Sequence, residues 1–349
     1  MMKRALVSLL FGFVSAFGVA ANPAVIRVGV STGASGSPAT FGGAATAIAQ
    51  QRGVLEAAFK PDGIRVEWVF FKGAGPAANE ALASKQLDFI WQGDLAAITG
   101  KAGGLNTRIL LGDSRLAPSY LVVPAKSKAA SLEDLKGRKF ALFKGTTQQL
   151  TFNRIAAQRG LAERDFKTIN MDGATTLAAL AAGDIDGVYL PVNALQLQER
   201  GVVRVIEDTR RDPLVAAHTH LLVDAAFEQR HPQLVQKLVS ALVANAAWTS
   251  DEANRQQVFT GWARAGVPVS AWQRDYQPDA LKQRLTPLLD PFFYAHYRDA
   301  VRFARQFGLI RKDVDVDAWI APQYLREALK AQKLERYWTP LAADGKGAA

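Results

Sequence analysis

Two short segments place a lysine and a glycine between a strand and a helix. Phe143-Lys144-Gly145 runs into Thr146, Thr147 and Gln148, and Phe71-Lys72-Gly73 runs into Ala74-Gly75-Pro76. Glycine permits the sharp turn. Thr146 and Thr147 are good N-cap residues, and Pro76 starts a helix where its missing N–H does no harm. Such a turn points free backbone N–H groups and the positive end of a helix dipole at whatever lies beyond the strand. The chemistry implied is capture of an anion, with no bond made or broken. The same residues also suit plain helix capping, which needs no ligand. The two turns are expected to face one another across a cleft.

Other candidates point less clearly to chemistry. His218-Thr219-His220 places two imidazoles on one face of a strand, but no nearby Cys, Asp or Glu completes a metal set. His218 is read as a hinge or cleft hydrogen-bonding group, whereas His231 and His296 have no visible role. Gly73-Ala74-Gly75-Pro76-Ala77-Ala78 fits the dinucleotide fingerprint G-x-G-x-x-A, but it follows the second strand and not the first, so it is read as a turn. Trp91 suits either an apolar ligand tail or the core, and Asp94 suits an N-cap. No Ser/His/Asp or paired-carboxylate constellation stands out. No catalytic residue, metal or cofactor is expected.

The elements that position these residues alternate. Strands are expected at Val25–Val30, Ile64–Phe70, Phe89–Gln92, Thr107–Leu111, Tyr120–Pro124, Lys139–Phe143, Lys167–Asn170, Gly187–Leu190, Val203–Glu207 and Thr219–Val223. Helices fall between them: one after the loop Ser31–Gly43, then Pro76–Ser84, Asp94–Ala102, Gln148–Arg159, Ala174–Ala182 and Asn193–Arg200. This alternation argues for α/β lobes with largely parallel sheets. Helices then dominate, at Pro232–Thr249, Glu252–Ala265, Pro278–Leu289, Pro291–Phe307 and Pro322–Lys333, and the tail Ala342–Ala349 is expected to be disordered. One junction occurs twice: Ala81–Phe89 parallels Ala179–Gly187, each a helix end, a turn, an Asp and a strand.

Lys3 and Arg4, the apolar run Ala5–Val19 and the small residues Ala20 and Ala21 read as a secretory signal peptide over residues 1–21. The chain has no Cys, so neither a disulfide nor a lipidated cysteine can form. A soluble periplasmic protein is expected. Of 349 residues, 49% are apolar, enough to fill two lobes. The net charge of +10 includes Lys3 and Arg4 and favours anions. No basic run with interleaved aromatics supports nucleic-acid binding.

Several motifs together resemble a known family. Leu87-Asp88-Phe89-Ile90-Trp91-Gln92-Gly93-Asp94, Ser131–Lys136 with Gly137-Arg138-Lys139-Phe140-Ala141, Lys144-Gly145-Thr146-Thr147 and Gly183-Asp184-Ile185-Asp186-Gly187 are similar, in order and spacing, to periplasmic substrate-binding proteins of ABC importers. The group is that of aliphatic sulfonates, taurine and nitrate. The resemblance implies a two-lobed Venus-flytrap α/β fold with two interlobe crossovers, near Asp113–Tyr120 and Pro213–Leu222, and a helical C-terminal third. Lobe 1 would be residues 22–116 plus 218–349, and lobe 2 residues 117–217. Ligand would bind at the strands' carboxyl ends, near Thr32, Ser37, Lys72, Gly73, Gly75, Trp91, Gln92, Gly93, Asp94, Ser119, Gly145, Thr146, Thr147, Gln148, Tyr189 and His218. The implied function is capture of a small organic anion, an aliphatic or aryl sulfonate, for a membrane permease and its ATPase, by a monomer. Where relatives carry a Trp-Asp-Pro-like segment, this chain has Leu190-Pro191-Val192-Asn193. The missing carboxylate weakens a taurine-like reading, since a ligand amine wants a negative partner. Nitrate or pyrimidine binding, a same-fold enzyme, and an exported sensory protein are the alternatives.

Overall fold

A computed structural model describes residues 21–348. The expected signal peptide therefore lies, apart from Ala21, outside the described residues. Among the described residues there are ten strands: β1 Val25–Val30, β2 Arg65–Phe70, β3 Phe89–Gly93, β4 Thr107–Ala117, β5 Tyr120–Pro124, β6 Lys139–Leu142, β7 Lys167–Asn170, β8 Val188–Leu190, β9 Val203–Asp208 and β10 Ala217–Asp224. The helices between β1 and β4 are α1 Ala45–Gln51, α2 Val54–Phe59, α3 Ala74–Ala83 and α4 Asp94–Ala102. Those between β6 and β9 are α5 Thr147–Gln158, α6 Gly173–Ala182 and α7 Asn193–Glu199. After β10 come α8 Ala225–Arg230, α9 Pro232–Thr249, α10 Arg255–Ala263, α11 Val269–Tyr276, α12 Leu281–Arg284, α13 Pro291–Gln306, α14 Val316–Trp319 and α15 Pro322–Ala331.

The first sheet has the order β2-β1-β3-β10-β4. β1 is parallel to β2 and β3, and β10 runs antiparallel to β3 and β4. The remaining strands repeat this plan. β6 is parallel to β7, a parallel bridge from Phe140 to Gly187 adds β8, and β5 lies antiparallel between β8 and β9. The second lobe thus reads β7-β6-β8-β5-β9, strand for strand like the first.

The duplicated junction in the sequence marks equivalent positions in this repeat. Asp88 precedes β3 and Asp186 precedes β8. Asp88 Oδ2 accepts the Arg27 N–H of β1 at 2.8 Å, and Asp186 Oδ2 accepts the Lys139 N–H of β6 at 2.9 Å. Their own N–H groups donate back to Arg27 O and Lys139 O, at 3.0 and 2.8 Å. Each carboxylate staples the start of one strand to the start of its parallel neighbour, β3 to β1 and β8 to β6.

Several expectations need correction in the C-terminal third and near the crossovers. The strand expected to end at Leu111 continues to Ala117, because its polar residues are matched in the interior. Arg115, 5% exposed, pairs with Asp290 and donates from Nε to Gln283 O at 2.9 Å. The helix expected over Pro278–Leu289 shrinks to Leu281–Arg284. Residues beyond it pair with β4 instead: Leu285 bridges Ser114, and Pro287 O accepts the Gly112 N–H at 3.1 Å. Helix α11 was not foreseen. It buries Ala271, Trp272 and Tyr276, with Trp272 against Trp262. The tail is ordered as far as it is described. Leu341 bridges Ala348, and a Cβ on Gly345 would meet Phe292 and Pro213 within 3 Å. Helix α13 packs a stripe of Phe293, Tyr297, Ala300 and Ala304, with His296 in it, onto the first lobe.

Candidate functional site

The turn from β6 to α5 has a specific division of labour among its amides. Gly145 takes φ +77°, which a side chain would disfavour. Gln148 and Gln149 fold back so that their Oε1 atoms accept the N–H groups of Phe143 and Gly145, at 2.9 and 2.8 Å. Asn170, at the end of β7, accepts the Lys144 N–H at 3.0 Å. Thr146 is the N-cap, but its hydroxyl donates to Phe143 O at 2.6 Å and caps no amide. The N–H groups of Thr146, Thr147 and Gln148 are left with no acceptor among the described residues. They stand at the positive end of a helix of 12 residues, an arrangement suited to an oxyanion.

The second lobe's turn lies directly against the first lobe. A Cβ on Gly145 would come within 2.9 Å of Pro76 Cγ in α3, and one on Gly93 within 2.2 Å of Thr147 Oγ1. The Thr147 hydroxyl donates to Asp94 Oδ1 at 2.7 Å. The other oxygen, Oδ2, faces His296 Nε2 at 2.8 Å. Burial alone would raise the Asp94 carboxyl. The His296 hydrogen bond, the positive charges nearby and Thr147 outweigh it and hold Asp94 below the usual carboxylate range. Burial lowers His296, whose Nδ1 has no partner, as for a neutral imidazole donating through Nε2. A second bridge crosses beside it: Arg154 of α5, 3% exposed, meets Asp299 of α13 at 2.7 Å.

The two turns anticipated from sequence thus meet through Pro76 and Gly145, while Thr147 reaches Gly93 and Asp94, and Gly73 and Gly75 face their own lobe. Lys72 is exposed beside the Ser31–Gly43 loop, where Thr32 O accepts the Phe71 N–H at 3.1 Å. Ser37 is exposed in the turn Ser35–Thr40, where a Cβ on Gly36 would meet the Arg264 carbonyl. Ser119 pairs with Thr209 between β4 and β5. Gln148 has its side chain turned inward, Oε1 on Phe143 N–H and Nε2 on Tyr189 O.

Besides Gly75 and Asp94, four expected ligand contacts are buried in the protein's own packing. Trp91 stacks on Phe41 and donates to Asp113 at 2.5 Å, so it is a core residue. Burial pushes that Asp113 carboxyl up to about 6. Tyr189 packs with Phe140 and bonds to Glu207. Gln92 is buried beneath Gly75, and its Oε1 has no partner. His218 is buried under a parallel stack on His296, with centroids 3.8 Å apart. It lines a cavity of about 10 Å³ with Asp113, Arg115 and Asp290, a space for one water and not for a sulfonate. His220 shares its face, bonding through Nδ1 to Tyr297, and burial lowers it to about 3. Sequence reasoning missed His296, Arg154 and Asn170. Nothing local flags His296 or Arg154, because His296 meets Asp94 only through the docking of α13 on α4, and Arg154 meets Asp299 only through that of α5 on α13. Asn170, at a strand end, had a positional signal.

The profile of the NMT1/THI5-like family matches residues 45–253, more than half of the chain. The chain belongs to the NMT1/THI5-like family. An Escherichia coli protein named as a putative aliphatic sulfonates-binding protein is 30% identical over 285 residues, 79% of this chain and 83% of its own. A Bacillus subtilis protein of the same description is 26% identical, over 58% of this chain. The match spans 61% of that relative's length. A Rhodococcus erythropolis 2'-hydroxybiphenyl-2-sulfinate desulfinase is 31% identical over 45% of this chain and 42% of its own. Among solved structures, a periplasmic sulfonate-binding protein of a sulfonate ABC transporter from Methylobacillus flagellatus KT superposes with TM-score 0.78 and 31% identity. It covers 91% of this chain and 97% of its own. The two-lobed α/β architecture is that of this neighbour. Among the described residues, no helix is long and apolar enough to cross a membrane.

Proposed function

We propose that this protein is the periplasmic solute-binding component of an ABC importer and that it captures a small organic sulfonate between its lobes. The observation that carries the reading is the set of three unpaired N–H groups at Thr146, Thr147 and Gln148, aimed from a helix N-terminus at the interlobe junction. Three amides match the three oxygens of a sulfonate in number and charge. The family membership and the Escherichia coli and Methylobacillus relatives support it. The chain passes between the sheets at Ala117–Tyr120 and Asp208–Ala217. We place the hinges there, with residues 22–116 plus 218–349 as one lobe and 117–217 as the other. A monomer engages a permease and its ATPase through the closed lobes.

The desulfinase likeness raises an enzyme as the second reading. Two features argue against it. The chain holds no cysteine, so a thiol nucleophile is excluded. In the Thr147–Asp94–His296 chain the carboxylate is in the middle. His296 therefore reaches Asp94 and not the Thr147 hydroxyl, and it cannot act as the base that would activate an attacking oxygen.

Calorimetric titration against ethanesulfonate, butanesulfonate, taurine, nitrate and sulfate tests the reading, with the ligand recovered afterwards. The expected result is saturable binding of an alkanesulfonate, weaker taurine binding and unchanged ligand. No heat with any sulfonate rejects the cargo, and recovery of sulfite rejects the binding-protein role.

A further inference from the structure

Helix α13 carries a residue that the sequence motifs do not single out. His296 has no exposed surface, and its Nε2 stands 2.8 Å from Asp94 Oδ2. The parallel His218 ring, tilted by only 14°, fixes its plane. Asp94 begins α4 in the first lobe, and its Oδ1 takes both the Leu95 N–H and the Thr147 hydroxyl at 2.7 Å. Thr147 belongs to the second lobe and carries one of the three unpaired amides. A side chain on one lobe is thus aligned from behind by an imidazole and grips the turn of the other.

We infer that His296 is a positioning residue for cargo capture. Acting through Asp94, it latches Thr147, and with it the amide-bearing first turn of α5, onto the first lobe. The geometry supports this over simple core packing. Without His296 the buried Oδ2 loses its partner, and a buried carboxylate with one partner removed carries a large desolvation penalty that is relieved by turning away from its present alignment. His296 supplies the partner that keeps Oδ1 available to Thr147. Neutral imidazole is well suited, because it donates one N–H without adding a second buried charge. Only the word cargo rests on the proposed function; the latch does not.

The test needs no cargo. The cysteine-free chain accepts two cysteines for spin labels, at the exposed helix ends Ser84 and Ala182, one in each lobe. Interlobe distances are then measured by double electron–electron resonance without ligand. The wild type is expected to show a short-distance population. Thr147→Val and His296→Phe should each lower the closed-to-open ratio about tenfold, the scale of one hydrogen bond to a charged group. The double variant should lose no more than either single one, and His296→Gln, whose Nε2 can still donate, should keep the wild-type ratio. The inference is overturned if the wild type has no short population, if His296→Phe keeps it, if the two losses add, or if Gln is as damaging as Phe. Should His296→Phe fail to fold, the Thr147→Val and His296→Gln results decide. Titration of the same variants with ethanesulfonate separates the claims: distances that behave as expected with no ethanesulfonate binding support the latch and reject the cargo.

Discussion

The turns at Phe71–Gly73 and Phe143–Gly145 have the same three residue types, and they meet in the folded protein. Their places in the repeated sheet plan differ. The first follows β2, an edge strand, and its counterpart in the second lobe is Met171–Asp172 after β7. The second follows β6, whose counterpart is β1 and the long loop Ser31–Gly43. Their amides differ too. In the α3 turn, Ala74 N–H is used by Phe71 O at 2.9 Å and Pro76 has none to offer, so the N–H groups of Gly73 and Gly75, which have no acceptor among the described residues, stand apart and form no run of three. In the α5 turn, glutamine side chains occupy the loop amides and leave the first helical ones open. A shared Phe-Lys-Gly string therefore codes a tight strand-to-helix connection in both places, and only the α5 turn leaves three consecutive amides open, the feature on which the proposed anion site rests. The α3 turn is a packing device: Gly75 lets α3 approach α4, where a Cβ would sit 2.0 Å from the Ala96 Cβ.

The strongest way to break this comparison is at Gly75. Gly75→Val is expected to wedge α3 away from α4 and cost about 3 kcal/mol, the upper end for overpacking a tight contact. Urea unfolding should show the midpoint fall with the slope unchanged. A valine tolerated within about 0.5 kcal/mol, the scale of neutral surface changes, would deny α3 its packing role.

Next in size is the amide itself. Thr147 is the first helical residue, where proline is well accepted, and Thr146 before it is already extended at φ −116° and ψ 167°. Thr147→Pro removes the amide and the hydroxyl, whereas Thr147→Val removes only the hydroxyl. Alkanesulfonate affinity should fall further in the proline variant, by about tenfold to a hundredfold relative to valine, as for a hydrogen bond to a charged acceptor. Equal affinities in a calorimetric titration would return the α5 turn to plain capping, and the two turns would then be alike after all.

What could be seen in the sequence follows from the range of the interactions involved. The alternation of elements, the turns and the duplicated Asp88 and Asp186 are local signals, and the strand plan follows them. The C-terminal third was legible as helical but not in detail. Leu285–Leu289 satisfies its backbone against β4, a partner distant in the chain. Candidate residues failed for a similar reason. Trp91 and Tyr189 lie within short strands that lead towards the expected cleft, and His218 near a crossover, where a polar or aromatic side chain is read as cleft-facing. Their fate was set by Asp113, Glu207 and His296, which only the folded chain brings near. Buried polar residues need partners, but a single sequence does not say which.

Acid offers the last and smallest separation of the two regions, because the α5 side rests on titratable groups and the α3 contact does not. Tyr297 and Leu150 of α5 share one cluster, and Tyr297 bonds to His220, which burial lowers from the usual 6.5 to about 3. A depressed histidine stays neutral in the folded chain while the unfolded chain takes up a proton. Its contribution is complete above pH 6.5 and is lost as the pH falls through the window down to about 3. Between pH 6.5 and 5 the loss is about 2 kcal/mol. Asp113, raised to about 6, works with the opposite sign: it gives up stability as the pH rises through 6. His218 and His296 are also lowered and add to the acid loss, so the net change is downward. His220→Asn keeps an acceptor for the Tyr297 hydroxyl and removes the titration. Its unfolding free energy in urea should fall by about 2 kcal/mol less than the wild type's between pH 6.5 and 5. Parallel curves would mean that His220 carries its proton inside the fold, and the buried side of the α5 turn would then be no more acid-sensitive than the glycine contact opposite it.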